Sequence, residues 1–205
     1  MNRVIRVVLA SASPARLQTL QRAGVEPEVM VSGVDEEGVT ARRPVILAAL
    51  LAERKAQVVS QQLAGHEPVI VIGCDSLLEF ESKAFGKPTS AEEAVARWQL
   101  MRGRTGVLHT GHHVILRDRG VHQVTATGST LVRFADLSDE EIRAYVATNE
   151  PLAVAGGFTI DGLGGPFIAG IDGDPHNVVG LSLPLLRDLL TELGISWPEL
   201  WSTPN

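Results

Sequence analysis

The run Val7-Val8-Leu9-Ala10-Ser11-Ala12-Ser13-Pro14-Ala15-Arg16 decides the fold. Val4 and Ile5 carry the same apolar, β-prone character ahead of it, with Arg6 the single polar interruption, so the segment begins as a buried strand. Ser13 before Pro14 reads as helix N-cap plus first helical residue, because the hydroxyl takes up an orphan amide and proline has none to orphan. Leu17, Leu20 and Gln21 continue at helical spacing until Gly24 stops the run. A strand that passes into a helix through small residues presents bare amides and the positive end of a dipole, which suits phosphate. Arg16 in the first turn works against that dipole and makes sense beside an anion. The same residues also fit an ordinary capped helix with Arg16 in solvent.

Outward from this run, residues 28–32 (Glu-Val-Met-Val-Ser) read as a second short strand between Pro27 and Gly33. Asp35, Glu36 and Glu37 follow, either a solvated acidic loop or oxygen ligands for a hard divalent cation. A helix is predicted over Pro44–Gln62, with Val45, Leu47, Ala48, Leu51, Ala52, Ala56 and Val59 as its apolar stripe. Lys55 falls on that stripe, where a lysine either snorkels outward or meets a negative ligand. Residues 69–76 begin with four consecutive β-branched side chains and predict a central strand buried on both faces. Asp75 is expected at its carboxyl end, the edge where α/β proteins bind ligands. There it could hold a metal, accept a proton from water, or cap a turn.

Further on, residues 77–80 resume as strand, Glu81-Ser82-Lys83 suggests a hairpin turn, and Pro88 holds Lys87 extended, within reach of a phosphate. Residues 90–101 form a helix with Ser90 and Glu93 in capping-box spacing. Strands over 107–116 and 121–134 are joined near 118–120. His112 and His113 then face opposite ways, while His109 and His113 share a face about 13 Å apart at a rise of roughly 3.3 Å per residue, too far for one ion. Ser138 starts a helix that runs to about Thr148, and residues 182–193 form a last helix with Pro184 in its first turn. Between them, residues 155–173 are dense in glycine, with Asp161 in the middle. No strand-to-helix dinucleotide fingerprint surrounds them, so turns or close backbone approach to a ligand are expected. The tail holding Trp197 and Trp201 is either docked or frayed.

The 205 residues, 44% hydrophobic and 20% charged, fit one soluble α/β domain over 1–205 or two lobes sharing a sheet. A formal net charge of −6 argues against a general nucleic-acid binder but allows a local basic pocket. Cys74 is the only cysteine, which excludes an intramolecular disulfide and a cysteine-based zinc site and favours a reducing cytosol. The apolar start is too short, and broken by Arg6, for an export signal. No stretch reaches transmembrane length.

Three cations (Arg16, Lys55, Lys87), two carboxylates (Glu36, Asp75) and donors at Ser11 and Ser13 therefore make the candidate site, a set that suggests metal-assisted phosphoryl chemistry. In these residues the chain resembles the Maf family of nucleotide pyrophosphatases. Residues 9–16 resemble its opening signature. Val34-Asp35-Glu36, Leu51-Ala52-x-x-Lys55-Ala56, Gly73-x-Asp75, Gly86-Lys87-Pro88, Thr110-Gly111, Glu150-Pro151-Leu152-x-x-Ala155-Gly156 and Val179-Gly180-Leu181 recur in the family's order. The resemblance implies a two-lobed α/β fold, a mixed twisted sheet with flanking helices and a central cleft, related to the inosine triphosphate pyrophosphatases. It also implies cleavage of nucleoside triphosphates to monophosphate and pyrophosphate with Mg²⁺ or Mn²⁺, in a cytoplasmic homodimer with no nucleic-acid or membrane partner.

Carried over residue by residue, the resemblance makes Asp75 the proton acceptor, with Glu36 and Asp75 at the metal. Lys55 and Lys87 are catalytic, and with Ser11, Ser13 and Arg16 they contact the triphosphate. The chain departs from the family pattern at Ala15, where an arginine is common, at Val154 for lysine, at Asp161 for glutamine and at Gly106 for histidine. These departures look more like the branch that handles methylated or otherwise altered bases, with Asp161 a substrate contact toward base or ribose, or an aid to the metal. A nucleotide-binding regulator of septum formation and a phosphomonoesterase are the rival readings.

Overall fold

The computed structural model describes residues 5–35, 38–65 and 68–202. Strand β1 (Arg6–Leu9) lies between two parallel partners, β2 (Glu28–Val29) and β3 (Val69–Phe80). Four further strands complete the sheet: β4 (Lys83–Phe85), β5 (Thr105–Arg117), β6 (Val121–Phe134) and β7 (Ile168–Asp172), with β4 branching from β3 as a hairpin and the long path running β2-β1-β3-β5-β6-β7. The pairs β3–β5, β5–β6 and β6–β7 are antiparallel, so the sheet is mixed and open at both ends.

The helices are α1 (Pro14–Arg22), α2 (Pro44–Gln62), α3 (Ala91–Met101), α4 (Asp139–Ala147), α5 (Pro175–Val179) and α6 (Leu183–Glu192). Side chains alternate across a strand, and the core follows that alternation. Ile70, Ile72 and Cys74 of β3 face α1 and α6 together with Leu20, Leu186 and Leu190, while Val69 and Val71 face α2 with Ala56 and Val59. The far halves of the long strands carry a separate core under α3 and α4, where Trp98 is fully buried edge-on to Phe134 and Tyr145 at 5.6 and 5.5 Å. Two lobes thus share one sheet, as the family resemblance implies.

Helix α2 matches its expected bounds, and Ala48, Leu51, Ala52, Ala56 and Val59 of the predicted stripe are buried. It rests on the sheet more closely than side chains would ordinarily allow. A Cβ on Gly73 would strike the Ala52 carbonyl and one on Gly111 the Ala48 carbonyl, so these two glycines are the seat of the helix.

The structure corrects several expectations. Strand β3 runs on to Phe80, so Asp75 sits inside it and not at its end. The reason lies in its neighbours: β1 stops at Leu9 opposite Ile72, the Ala10 amide takes the Ile72 carbonyl, and beyond that point β3 pairs with β4. Asp75 therefore still marks the place where the parallel part of the sheet ends. The β3–β4 turn has positive φ at Glu81 (49°) and Ser82 (63°), the twist a two-residue hairpin requires. The second strand pairs only over Glu28–Val29, because the Met30 amide takes the Leu9 carbonyl and β1 offers nothing further.

At α3 the Ser90 hydroxyl caps the Glu93 amide, but Glu93 bonds back to the Thr89 amide and hydroxyl, leaving the box open. At α4 the Ser138–Glu141 box closes. The tail is docked: Leu200 is buried, the Trp197 indole donates to the Ala23 carbonyl at 3.4 Å, and the Ser202 amide to Gly24 at 2.9 Å. No helix among the described residues is long and apolar enough to cross a membrane.

Candidate active site

A cleft of about 690 Å³ opens where the two lobes meet. One wall is the β1–α1 turn, residues 10–16, with residues 31–34. The floor is Lys55 and residues 75–77, and the opposite wall comprises residues 86–87, 153–155 and 158–161, with residues 178–179 of α5 beside α1. Ser11, Ser13, Arg16, Lys55, Asp75, Lys87 and Asp161 all line it. Glu36 lies outside the described residues.

Asp75 and Lys55 form the centre. The Lys55 ammonium does not snorkel outward. It donates to Asp75 Oδ1 at 2.5 Å, with both side chains largely buried. This pairing follows from the seating of α2, since Lys55 lies between Ala52 and Ala56, the residues that touch Gly73 two positions before Asp75. On the near wall Ser13 caps α1 by accepting from the Arg16 amide at 3.4 Å, and Pro14 opens the helix as predicted. Ser11 Oγ accepts from the Ser13 amide at 3.2 Å.

Arg16 does not extend into solvent. It is 9% exposed and donates to four protein acceptors: Gly180 O (2.7 Å), Ser11 Oγ (3.0 Å), Cys74 O (2.9 Å) and Ser76 Oγ (3.0 Å).

Across the cleft, Lys87 is exposed, and the Gly86 carbonyl beside it accepts from Arg97 at 2.7 Å and from the Gly156 amide at 3.1 Å. Asp161 stands exposed on a loop gathered by Glu150, whose carboxylate accepts from Tyr145 Oη (2.8 Å), Thr159 Oγ1 (2.6 Å) and the Leu163 and Gly164 amides (both 2.9 Å). Burial opposes the Glu150 charge, but the donors from Thr159, Leu163, Tyr145 and Gly164 outweigh it and hold the carboxyl below its usual range. Val31, Val154, Ile160 and Val178 give the cleft an apolar lining from more than one side, suited to a flat ring.

His109 and His113 bond within the sheet. His109 bridges Glu79 and Ser129 at 2.9 and 2.8 Å, and His113 meets Thr125 at 2.6 Å. His112 faces the other side, Nδ1 toward Thr110 O and Nε2 accepting the Ser182 amide at 2.8 Å. Burial pushes its pKa down to about 4. Burial likewise raises the Cys74 thiol to about 11, which leaves it unreactive.

Among the described residues no three His, Cys, Asp or Glu side chains gather into a metal cage. A single carboxylate on the cleft floor nevertheless fits Mg²⁺, which keeps waters and takes one or two carboxylates with phosphate oxygens completing its shell. The donor chemistry suits a cation that arrives with a polyphosphate.

Sequence reasoning missed α5 and the network it supports. Asp174 accepts from the His176 amide and Pro175 opens the helix, so Asp-Pro was a readable start signal. Gly180, Thr110 and Glu150 lie in stretches quoted for the resemblance without a role attached to them, and Asn177 lies outside those stretches.

A mixed α/β sheet whose lobes close on a cleft bearing a lysine–aspartate pair, a capped helix N-terminus and a second lysine defines a class of protein built to hold an anionic chain beside a carboxylate. The chain belongs to the Maf family, whose model, described as Maf-like protein, matches residues 6–193. It is 59% identical over 197 residues to the nucleoside triphosphate pyrophosphatase of Streptomyces coelicolor, covering 96% of this chain and 95% of that one. It is 56% identical over 200 residues to the protein of the same name from Salinispora tropica, covering 97% and 88%. Among solved structures, the dITP/XTP pyrophosphatase of Mycobacterium abscessus overlaps loosely, with a TM-score of 0.41 and 14% identity over 93% of this chain and 94% of that one.

Proposed function

We infer that this chain hydrolyses nucleoside triphosphates, including ones with altered bases, to the nucleoside monophosphate and pyrophosphate. The observation that carries the reading is the Lys55–Asp75 pair on the floor of a cleft that also holds Ser11, Ser13 and Lys87. The names of relatives more than half identical to it support the same activity.

In this reading Asp75 orients a water and takes its proton as the water oxygen bonds to the α-phosphorus. The bond from that phosphorus to the bridging oxygen breaks, and pyrophosphate leaves with the electron pair. Lys55 fixes the Asp75 carboxylate, and Lys55 with Lys87 offsets the charge growing on the leaving group. Ser11 and Ser13, at the amino end of α1, bind phosphate oxygens. A divalent cation, Mg²⁺ or Mn²⁺, held by Asp75 and Glu36, would supply further charge neutralisation on the phosphates. The apolar lining of the cleft and Asp161 take the base or ribose. The enzyme works in the cytoplasm as a homodimer, the latter testable by sedimentation velocity.

Incubating the purified protein with Mg²⁺ and a panel of triphosphates, and assaying both products, tests the reading. Pyrophosphate is expected. Orthophosphate alone would indicate a phosphomonoesterase, and binding without either product a nucleotide-binding regulator. Asp75→Asn should still bind nucleotide while losing turnover by about 10²-fold or more. Near-normal turnover in that variant would remove Asp75 from its role.

A further inference from the structure

Arg16 is assigned by family resemblance to the triphosphate, yet its guanidinium is committed elsewhere. Of its five N–H groups, four bonds go to the protein, and the acceptors are not scattered. Cys74 O and Ser76 Oγ come from the residues on either side of Asp75. Ser11 Oγ anchors the β1–α1 turn, and Gly180 O ends α5. One planar fork therefore ties together the strand that carries Asp75, the turn proposed to cradle phosphate, and the end of α5, whose Val178 and Val179 line the cleft.

The network continues inward with its hydroxyl directions determined. Thr110 Oγ1 donates to Asn177 O at 2.8 Å, so in its 2.9 Å bond with Ser76 Oγ it accepts, and Ser76 Oγ in turn accepts from Arg16. The chain Arg16 to Ser76 to Thr110 ends on the backbone carbonyl of Asn177, a residue 1% exposed whose own side-chain amide donates to Leu108 O and Thr130 Oγ1, both at 3.1 Å. Gly180, at φ 118°, completes the slot: a Cβ there would stand 3.2 Å from Arg16 Nε. Turning Arg16 toward a phosphate would break all four of these bonds.

We propose that Arg16 is a positioning residue, which acts through Cys74 and Ser76 to hold Asp75 in register with the Ser11 turn and does not itself bind the phosphate chain. The proposal rests on the pyrophosphatase reading. It concerns geometry and not charge, which separates the two roles: a lysine keeps the charge but cannot reproduce a planar fork with bonds to four acceptors.

The test measures kcat for pyrophosphate release, and separately the Kd of an α,β-imido nucleotide triphosphate by calorimetry, for wild type, Arg16→Lys, Ser76→Ala and the double variant, each with a thermal melt. Arg16→Lys is expected to lower kcat by about 10- to 10²-fold, the scale of an ångström's misplacement, while Kd stays within about threefold of wild type. The double variant should lose little more than Arg16→Lys alone, because both substitutions cut the same path. A Kd weakened tenfold with kcat intact at saturation would make Arg16 a phosphate contact and overturn the proposal. So would a lower melting temperature with kcat and Kd unchanged. Should Arg16→Lys fail to fold, Ser76→Ala decides alone by the same split between kcat and Kd. A wild type that releases no pyrophosphate would instead sink the pyrophosphatase reading, a result distinct from any of these.

Discussion

Replacing Gly73 by alanine puts a methyl group where α2 now rests. The new Cβ would collide with the Ala52 carbonyl and lie 2.8 Å from Ala56 Cβ and 2.9 Å from the Ala56 amide nitrogen. Carbon atoms in contact prefer about 3.5–4.0 Å, so the helix must lift by about 1 Å. The obstruction is backbone on one side and the centre of a buried strand on the other, so neither can swing aside as a long side chain would. Overpacking of this kind costs about 1–3 kcal/mol. Taking about 2 kcal/mol, the melting temperature of a chain of this size should fall by about 4–8 °C.

The effect on chemistry should be larger than that on stability. Lys55 travels with the helix, and its 2.5 Å bond to Asp75 would stretch by about the same 1 Å, a displacement that can cost on the order of 10²-fold in rate. Calorimetry and pyrophosphate release on the same preparation read both effects. Gly120→Ala, where the added Cβ meets only His122 at 3.4 Å in the β5–β6 turn, should behave as wild type. If Gly73→Ala melts and turns over like wild type, the glycine is not what seats α2, and the account of how Lys55 reaches Asp75 fails.

Acid should weaken the fold through His112. Its folded pKa is about 4 against an ordinary 6.5, so the unfolded chain alone takes the proton between those values. This contribution is neutral above pH 6.5 and destabilises as pH falls, reaching about 3 kcal/mol near pH 4; denaturant melts of wild type and His112→Gln at pH 7 and 4.5 should therefore diverge, and parallel curves would refute it. Glu150→Gln turns an amide NH₂ toward donors, two of them the backbone amides of Leu163 and Gly164. It should lower the melting temperature and raise KM more than it lowers kcat, because residues 159–161 line the cleft; an unchanged KM would detach this loop from substrate binding. Trp98→Phe leaves the Gly157 carbonyl without its 2.8 Å donor and should cost about 1–3 kcal/mol in a thermal melt with kcat nearly unchanged.

What could be read from the sequence was local. The turn from β1 through Ser13 and Pro14 into α1, the bounds of α2, the paired long strands and the Ser138 box all rest on neighbours within a few residues, where capping and periodicity operate. Asp75 and Lys55 were recognisable as members of a site, but not as partners, since their separation of twenty positions leaves no periodic trace. The bonding of Arg16 was hidden for the same reason. In sequence it is a cation wrongly signed for its helix dipole. In the folded chain three of its four acceptors come from residues 58, 60 and 164 positions away.

Gly73 makes the point most sharply. Between Ile72 and Cys74 it looks like a defect in the strongest strand of the chain, whereas the cost of a strand glycine is offset by what its missing side chain admits. A bulkier residue would make a better strand and a worse site. With alanine there, α2 could still pack against β3, but its lysine would stand off from the carboxylate by about 1 Å. The strand was therefore legible as a strand, while the flaw in it, which brings charge to Asp75, acquires meaning only once the helix above it is in view.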